Sequence, residues 1–278
     1  MQGQALLHTV PANAPLPADA QPAAVAPTSV FLPKEHGSWS LALEPLALGL
    51  LVAPSFAGVA LAAAALAGFF ARRPLKAAFG PVHSARRVTA RETLVMLAVL
   101  GLAGGLEVVV LGGWTALWPL LFAAPLGLMF ARFDAQGEAR AVAAEIAGSA
   151  AFAVLPVALA TLAGWTFAPA LALAAVALAR SVPTVLTVRT ALRVSKGTTV
   201  GTWLPVSAAT LGVATLATLA TRGLVPPFAV LPAGLLLGRT LWFASVFRPA
   251  WPARRIGIFE AALGGLHLGL TVLAYRVQ

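Results

Sequence analysis

Apolar runs of about 20 residues recur from residue 38 to residue 275, and they restrict the fold more than any other feature of this chain. Each run is long enough to cross a bilayer as a helix. Inside hydrocarbon, a helix satisfies every backbone N–H and C=O within its own segment. Nine spans are expected, at 38–54, 56–71, 93–112, 115–131, 141–162, 167–188, 202–220, 225–246 and 256–275. Pro54-Ser55, Gly112-Gly113, Gly164 and Arg222-Gly223 mark short turns between them. Only 10% of the residues are charged, against about 25% in soluble domains, and mean hydropathy is +0.88. The reading is an all-α polytopic membrane bundle: a single transmembrane domain over 31–278. Its spans are rich in Ala, Gly and Leu, and such small residues permit close helix approach.

The net charge of +10 would suggest nucleic acid in a soluble protein. Here the basic residues sit in alternate loops, which is the topology signal of membrane proteins, and no nucleic-acid partner is expected. One side carries Lys34, Arg72, Arg73, Lys76, Arg86, Arg87, Arg91, Arg132, Arg140, Arg189, Arg193, Lys196, Arg248, Arg254 and Arg255. The other carries Arg222 and Arg276. This places the N-terminus in the cytoplasm and, with nine spans, the C-terminus outside. Trp114, Trp118 and Trp165 then fall at the outer boundary, and Trp39, Trp203 and Trp251 at the inner one. Residues 1–30 are rich in Ala and Pro and lack the long apolar core of a signal peptide, so a disordered cytoplasmic tail is expected.

The chain has no cysteine, which excludes a thiolate nucleophile, a disulfide framework and a Cys-based metal site. Four scattered histidines form no metal motif, and no G-x-S-x-G, P-loop or HExxH occurs. Neither metal nor cofactor is expected.

Charges inside the spans are the candidate site. A charged side chain at mid-membrane costs about 2.5–3.5 kcal/mol on insertion scales and faces the bundle interior. Glu44, Glu145, Arg180, Arg239 and Glu260 lie within the spans, and counting from the cytoplasmic ends puts all five in the cytoplasmic half. A polar cavity open to the cytoplasm follows, with Pro33–Trp39, PKEHGSW, at its rim. Arg180, Thr184 and Thr187 share one helical face, as do Glu260, Gly264 and His267. Pro45 after Glu44, and Pro183 after Arg180, free backbone carbonyls beside the charges. The opposing reading is that the Glu and Arg side chains simply pair and lock helices together.

PKEHGSW, followed by an apolar span containing Glu44-Pro45, resembles the opening of the YwiC-like family of bacterial membrane proteins, and RRPLKAA at 72–78 fits it too. The resemblance runs from about Phe31 to the C-terminus and implies a multi-pass protein of the bacterial cytoplasmic membrane, without an activity to carry over. A more distant similarity, in nine spans and orientation, is to the UbiA-type intramembrane prenyltransferases. It implies a cavity open to the cytoplasm near the loops after the second and sixth helices. Their aspartate motifs hold magnesium on a polyprenyl diphosphate. The corresponding segments here, LAGFFARRPL and VRTALRVSKGTTVGTWLP, contain no Asp, and magnesium needs such carboxylates.

Three functions fit this reading. The first is a membrane enzyme or lipid-binding protein on a UbiA-like scaffold, binding or modifying an isoprenoid- or quinone-type lipid; as an enzyme it would be a prenyltransferase-like transferase without the Asp-rich motifs. Arg72, Arg73, Arg189, Arg193 and Lys196 would hold the lipid's anionic head, and Glu44, Glu145 or His36 would move protons. Lys34 and Glu35 at the rim, with Arg180, Arg239, Glu260 and His267 deeper in, would complete the binding surface. The second is a transporter for a small anion or a proton-coupled solute. The third is an assembly factor with no small ligand. Membrane lipids are the one partner class expected in all three.

Overall fold

The structure, a computed structural model, describes residues 36–79 and 84–278, apart from the side chains of 36–38, 41 and 84–86. Among the described residues it is entirely helical. The α-helices are α1 (His36–Val52), α2 (Phe56–Phe79), α3 (Ser84–Gly112), α4 (Leu120–Ala135), α5 (Val142–Leu162), α6 (Phe167–Val194), α7 (Trp203–Thr221), α8 (Val230–Ala244) and α9 (Ala253–Arg276). Single 3-10 turns, Trp114–Leu117 and Pro227–Ala229, lead into α4 and α8. One α-helix answers each expected span. α2, α3, α4 and α6 extend several residues past the apolar runs at their basic ends, as α2 does from Arg72 to Phe79.

Seven helical segments are long and apolar enough to cross a membrane, α8 being counted with its leading 3-10 turn as Pro227–Ala244. The other two, α1 and α4, have 17 and 16 residues. Contacts at both ends show that the helices alternate in direction. The start of α1 meets the end of α2, where Trp39 packs edge-on against Phe69 and Phe70. The end of α1 meets the end of α9, where Arg276 donates to the Leu51 carbonyl at 3.2 Å. Likewise Trp118 before α4 stacks on Phe167 at the start of α6, with ring centroids 4.9 Å apart. The bundle thus has a basic end, holding the Arg-rich connections, and an opposite end with Arg222 and Arg276.

The most buried helix is α6, at the centre, flanked by α5 and α7 and touched by α1, α8 and α9. Its apolar half packs Ala172, Val176, Ala177 and Ala179 against Leu48, Leu216, Val225 and Ala233. The α2–α3 hairpin lies to one side and packs very closely. Gly104 allows this, because a Cβ there would sit 2.8 Å from the Ala60 carbonyl oxygen. Gly49 does the same for α1, whose backbone rests on Leu159 of α5. The outer face of α3, with Val95, Val99, Leu102, Leu106 and Val110 exposed, is the apolar surface that a bilayer would cover.

Replacing Gly104 by Leu should force α2 and α3 apart. Overpacking of this kind costs about 1–3 kcal/mol. The expected outcome is a lower unfolding midpoint of the purified protein in detergent, which Gly105→Leu, at a position open on all sides, should not show.

Candidate functional site

Four of the five intramembrane charges meet in one place, where α1, α6, α8 and α9 converge. Arg180 is its hub, midway along the buried α6. Its Nε donates to Glu44 Oε2 at 3.0 Å and its Nη2 to Glu44 Oε1 at 3.3 Å. Nη2 also donates to the Glu260 carbonyl oxygen at 3.0 Å, and Nη1 to Thr184 Oγ1. Glu260 balances both cations, with Oε2 3.5 Å from Arg180 Nη1 and Oε1 3.4 Å from Arg239 Nη1. Arg239 Nη2 donates to Thr184 Oγ1 at 3.0 Å, which ties α8 to α6. Two carboxylates and two guanidiniums make the cluster formally neutral.

The helical spacings read from the sequence explain the geometry. Thr184 is one turn from Arg180, and its hydroxyl also returns to the Arg180 carbonyl at 2.6 Å. Thr187, a further turn on, meets Thr240 Oγ1 at 3.2 Å. Gly264 sits one turn after Glu260, and the space its missing side chain leaves is filled. A Cβ there would lie on Glu44 Oε1 and 2.8 Å from Arg180 Nη2. The glycine is therefore what lets the α1–α6 ion pair press against α9.

His267 and Ser181 lie beside the cluster, 4% and 2% exposed. With Ser40, Glu44, Pro45, Leu48, Arg180 and their neighbours they line a cavity of about 20 Å³, room for roughly one water. The carboxylates and guanidiniums pair with one another beside this small cavity, as the opposing reading of the sequence has it. Glu44 and Arg180 stand at the middle of α1 and α6.

Glu145 does not join the cluster. It pairs with Arg189 at 2.9 Å near the basic end, where Arg189 also donates to the Arg140 carbonyl. Arg72 leaves the bundle interior too. Its Nε donates to Asp134 Oδ2 at 2.9 Å, its guanidinium lies 4.9 Å from the Phe130 ring centroid, and Lys76 Nζ reaches Asp134 Oδ1 at 2.7 Å. Arg73 is half-buried next to Arg72, while Arg193 and Lys196 are exposed at the end of α6. Lys34 and Glu35 lie outside the described residues, and His36 opens α1 with its side chain outside them.

Asp134 is absent from the candidates read from the sequence. Its partners are 62 and 58 residues away, and no local spacing announces them. It stands in the polar turn beyond the apolar part of α4, outside the membrane-spanning segments. Burial opposes its ionisation, but the hydrogen bonds from Arg72 and Lys76 outweigh this and hold its carboxyl below the ordinary value of 3.8. Thr240 and Thr271 were also missed. Thr271 continues the Glu260–Gly264–His267 face by one more turn, so that signal was present in the spacing.

The alternating helices, the seven long apolar spans and an ion cluster shielded in their midst define a multi-pass integral membrane protein. Residues 32–160 match the family model of the YwiC-like proteins, a stretch that runs from just before α1 almost to the end of α5. No curated protein and no solved structure matches the chain. The match contributes Glu44 to the cluster, while Arg180, Arg239 and Glu260 lie beyond it.

Two outcomes follow. Removing one partner of a buried ion pair costs about 3–5 kcal/mol. Glu44→Gln and Arg180→Gln should each approach that loss, and the double variant should lose less than their sum, as measured by denaturation in mixed micelles. For Asp134 the folded form holds the proton less tightly, so its contribution is full above the ordinary carboxylate value and disappears as pH falls through the lowered one. Asp134→Asn should cost only about 1 kcal/mol at neutral pH, since Lys76 is half exposed and screened, and should flatten the acid limb of the stability curve below about pH 4.

Proposed function

We propose that this protein is a transporter in which protonation of the central ion cluster is coupled to the movement of a small solute. The observation that carries this reading is the position and neutrality of the cluster. Glu44, Arg180, Arg239 and Glu260 come from four different helices and meet at mid-bundle. Adding one proton to Glu44 or Glu260 leaves a guanidinium unbalanced in a low-dielectric setting. The cluster then favours a different arrangement of the helices that carry it.

Two of those helices are built to respond. Pro45 interrupts the hydrogen bonding of α1 immediately after Glu44, and Pro183 does so in α6 three residues after Arg180. Both helices run on through their prolines, and each leaves a backbone carbonyl free beside the charges, a polar feature suited to a solute site between helices. The cavity beside the cluster has room for water and not for an isoprenoid chain, which favours proton and small-solute traffic over a bound lipid. A small anion is the natural solute class, because the guanidiniums would accept it when a carboxylate is neutralised.

Reconstituted vesicles with an imposed pH gradient, and a panel of inorganic and carboxylate anions on one side, test the reading. The expected result is protein-dependent proton movement, followed with an internal pH dye, that one anion class stimulates. Glu44→Gln and Glu260→Gln should each slow it at least tenfold. Wild-type vesicles that match protein-free vesicles across the panel would count decisively against transport.

A further inference from the structure

On the face of α9 that meets the cluster, Glu260, Gly264, His267, Thr271 and Tyr275 follow one another at intervals of three or four residues, so they form a single stripe. It runs from the ion cluster to the opposite end of the bundle, where Tyr275 packs against Trp165. The stripe is shielded, with Thr271 wholly buried. Neither Glu260 carboxylate oxygen, nor His267 Nε2, Thr271 Oγ1 or the Tyr275 hydroxyl, has a hydrogen-bond partner.

That is unusual within this same chain. Thr93, Thr161, Thr184, Thr218 and Thr240 all satisfy their hydroxyls on the carbonyl one turn earlier. Thr271 occupies the same kind of helical position and does not. On α6, Ser181 lines the cavity with His267 and Glu44, and its hydroxyl is unpartnered too. Buried polar groups are nearly always paired with protein or ordered water. His267, Thr271 and Tyr275 follow one another at about one turn of helix, a spacing that water molecules bridge, and the cavity beside Gly264 joins His267 to the cluster.

We propose that this stripe is a water-filled proton path from the opposite end of the bundle to the ion cluster, with His267 as the relay at its inner end. The proposal rests on the transport reading and adds the side from which the proton arrives. A proton entering past Tyr275 and Thr271 reaches His267 Nε2, giving an imidazolium. It then passes through the water shared with Ser181 to the Glu44 carboxylate, leaving neutral imidazole and a carboxylic acid. The charged groups around His267 are Glu44 on α1, Arg180 on α6 and Glu260 on its own helix, with Arg239 of α8 behind Glu260. The path therefore ends on the two acids that balance the two guanidiniums. On the basic side of the cluster, the Thr187 and Thr240 hydroxyls meet at 3.2 Å, and both residues line a second, smaller cavity.

Because the chain has no cysteine, single thiols report without background. Ser181→Cys and Thr271→Cys are near-isosteric, and Ag+ is small enough to follow water. Oriented membrane vesicles of both polarities would be exposed to Ag+, and the remaining thiol counted with a maleimide after denaturation. The expected result is that both thiols react from the opposite-end face at least tenfold faster than from the basic face. His267→Trp, which fills the cavity, should slow Ser181→Cys at least tenfold and spare Thr271→Cys, whereas His267→Asn should leave both reactive. A 15N-histidine resonance that His267→Asn removes should titrate with pH on that face alone. Inert thiols, access of Ag+ to Ser181→Cys from the basic face only, or a resonance indifferent to pH would each overturn the path. Vesicles that move no protons while thiols and resonance behave as expected would sink the transport reading and leave the path standing.

Discussion

The guanidinium of Arg180 sets the terms for the rest of the bundle. A charge at the centre of a membrane protein is tolerated only where its donors are taken up and its charge is balanced. Arg180 spends its N–H groups on Glu44 of α1, the backbone carbonyl of Glu260 on α9 and Thr184 on its own helix, and the Glu260 carboxylate balances its charge at 3.5 Å. Those partners fix the height of α1 and α9 relative to α6 to within a fraction of a turn. A shift of one residue along any of the three would strand the cation. Apolar packing alone does not impose this, since Ala- and Leu-rich faces slide past one another at little cost.

The same contact joins the two parts of the chain. Glu44 lies in the first helix, and its partners come from the sixth, eighth and ninth. The family match supplies only the first of them, so the cluster is assembled across its boundary. Gly264 shows how tightly the joint is made: the Glu44 carboxylate occupies the volume an alanine methyl would take. The joint is balanced in charge with both carboxylates ionised, and a single added proton would leave one guanidinium without a counter-charge.

Much of this was legible in the sequence, for identifiable reasons. Each of the nine apolar runs corresponds to an α-helix among the described residues, because bilayer-length hydrophobicity leaves few alternatives. Arg180 with Thr184 and Thr187, and Glu260 with Gly264 and His267, were legible as faces because helical periodicity is local. What periodicity does not carry is which faces meet. Glu145 looked equivalent to Glu44, yet it lies near the basic end beside Arg189, and only the packing of α5 on α6 decides that. Asp134 was passed over for the same reason, since its cations arrive from a different helix. Helix ends were less legible, because the charged last turns of α6 project beyond the point at which hydropathy falls.

The chain contains its own comparison between a structural ion cluster and one suited to chemistry. Both oxygens of Asp134 accept hydrogen bonds, from Arg72 at 2.9 Å and from Lys76 at 2.7 Å among others, and nothing is left to titrate except under acid. Glu260 is more deeply enclosed and less well served. It faces two guanidiniums at 3.4 and 3.5 Å without a hydrogen bond to either carboxylate oxygen. If locking helices were the only role of the inner cluster, the Asp134 arrangement would be the better solution in a low dielectric. Leaving a carboxylate balanced in charge but open in hydrogen bonding, next to an open histidine and an open serine, keeps positions available for a proton and for the water that brings it.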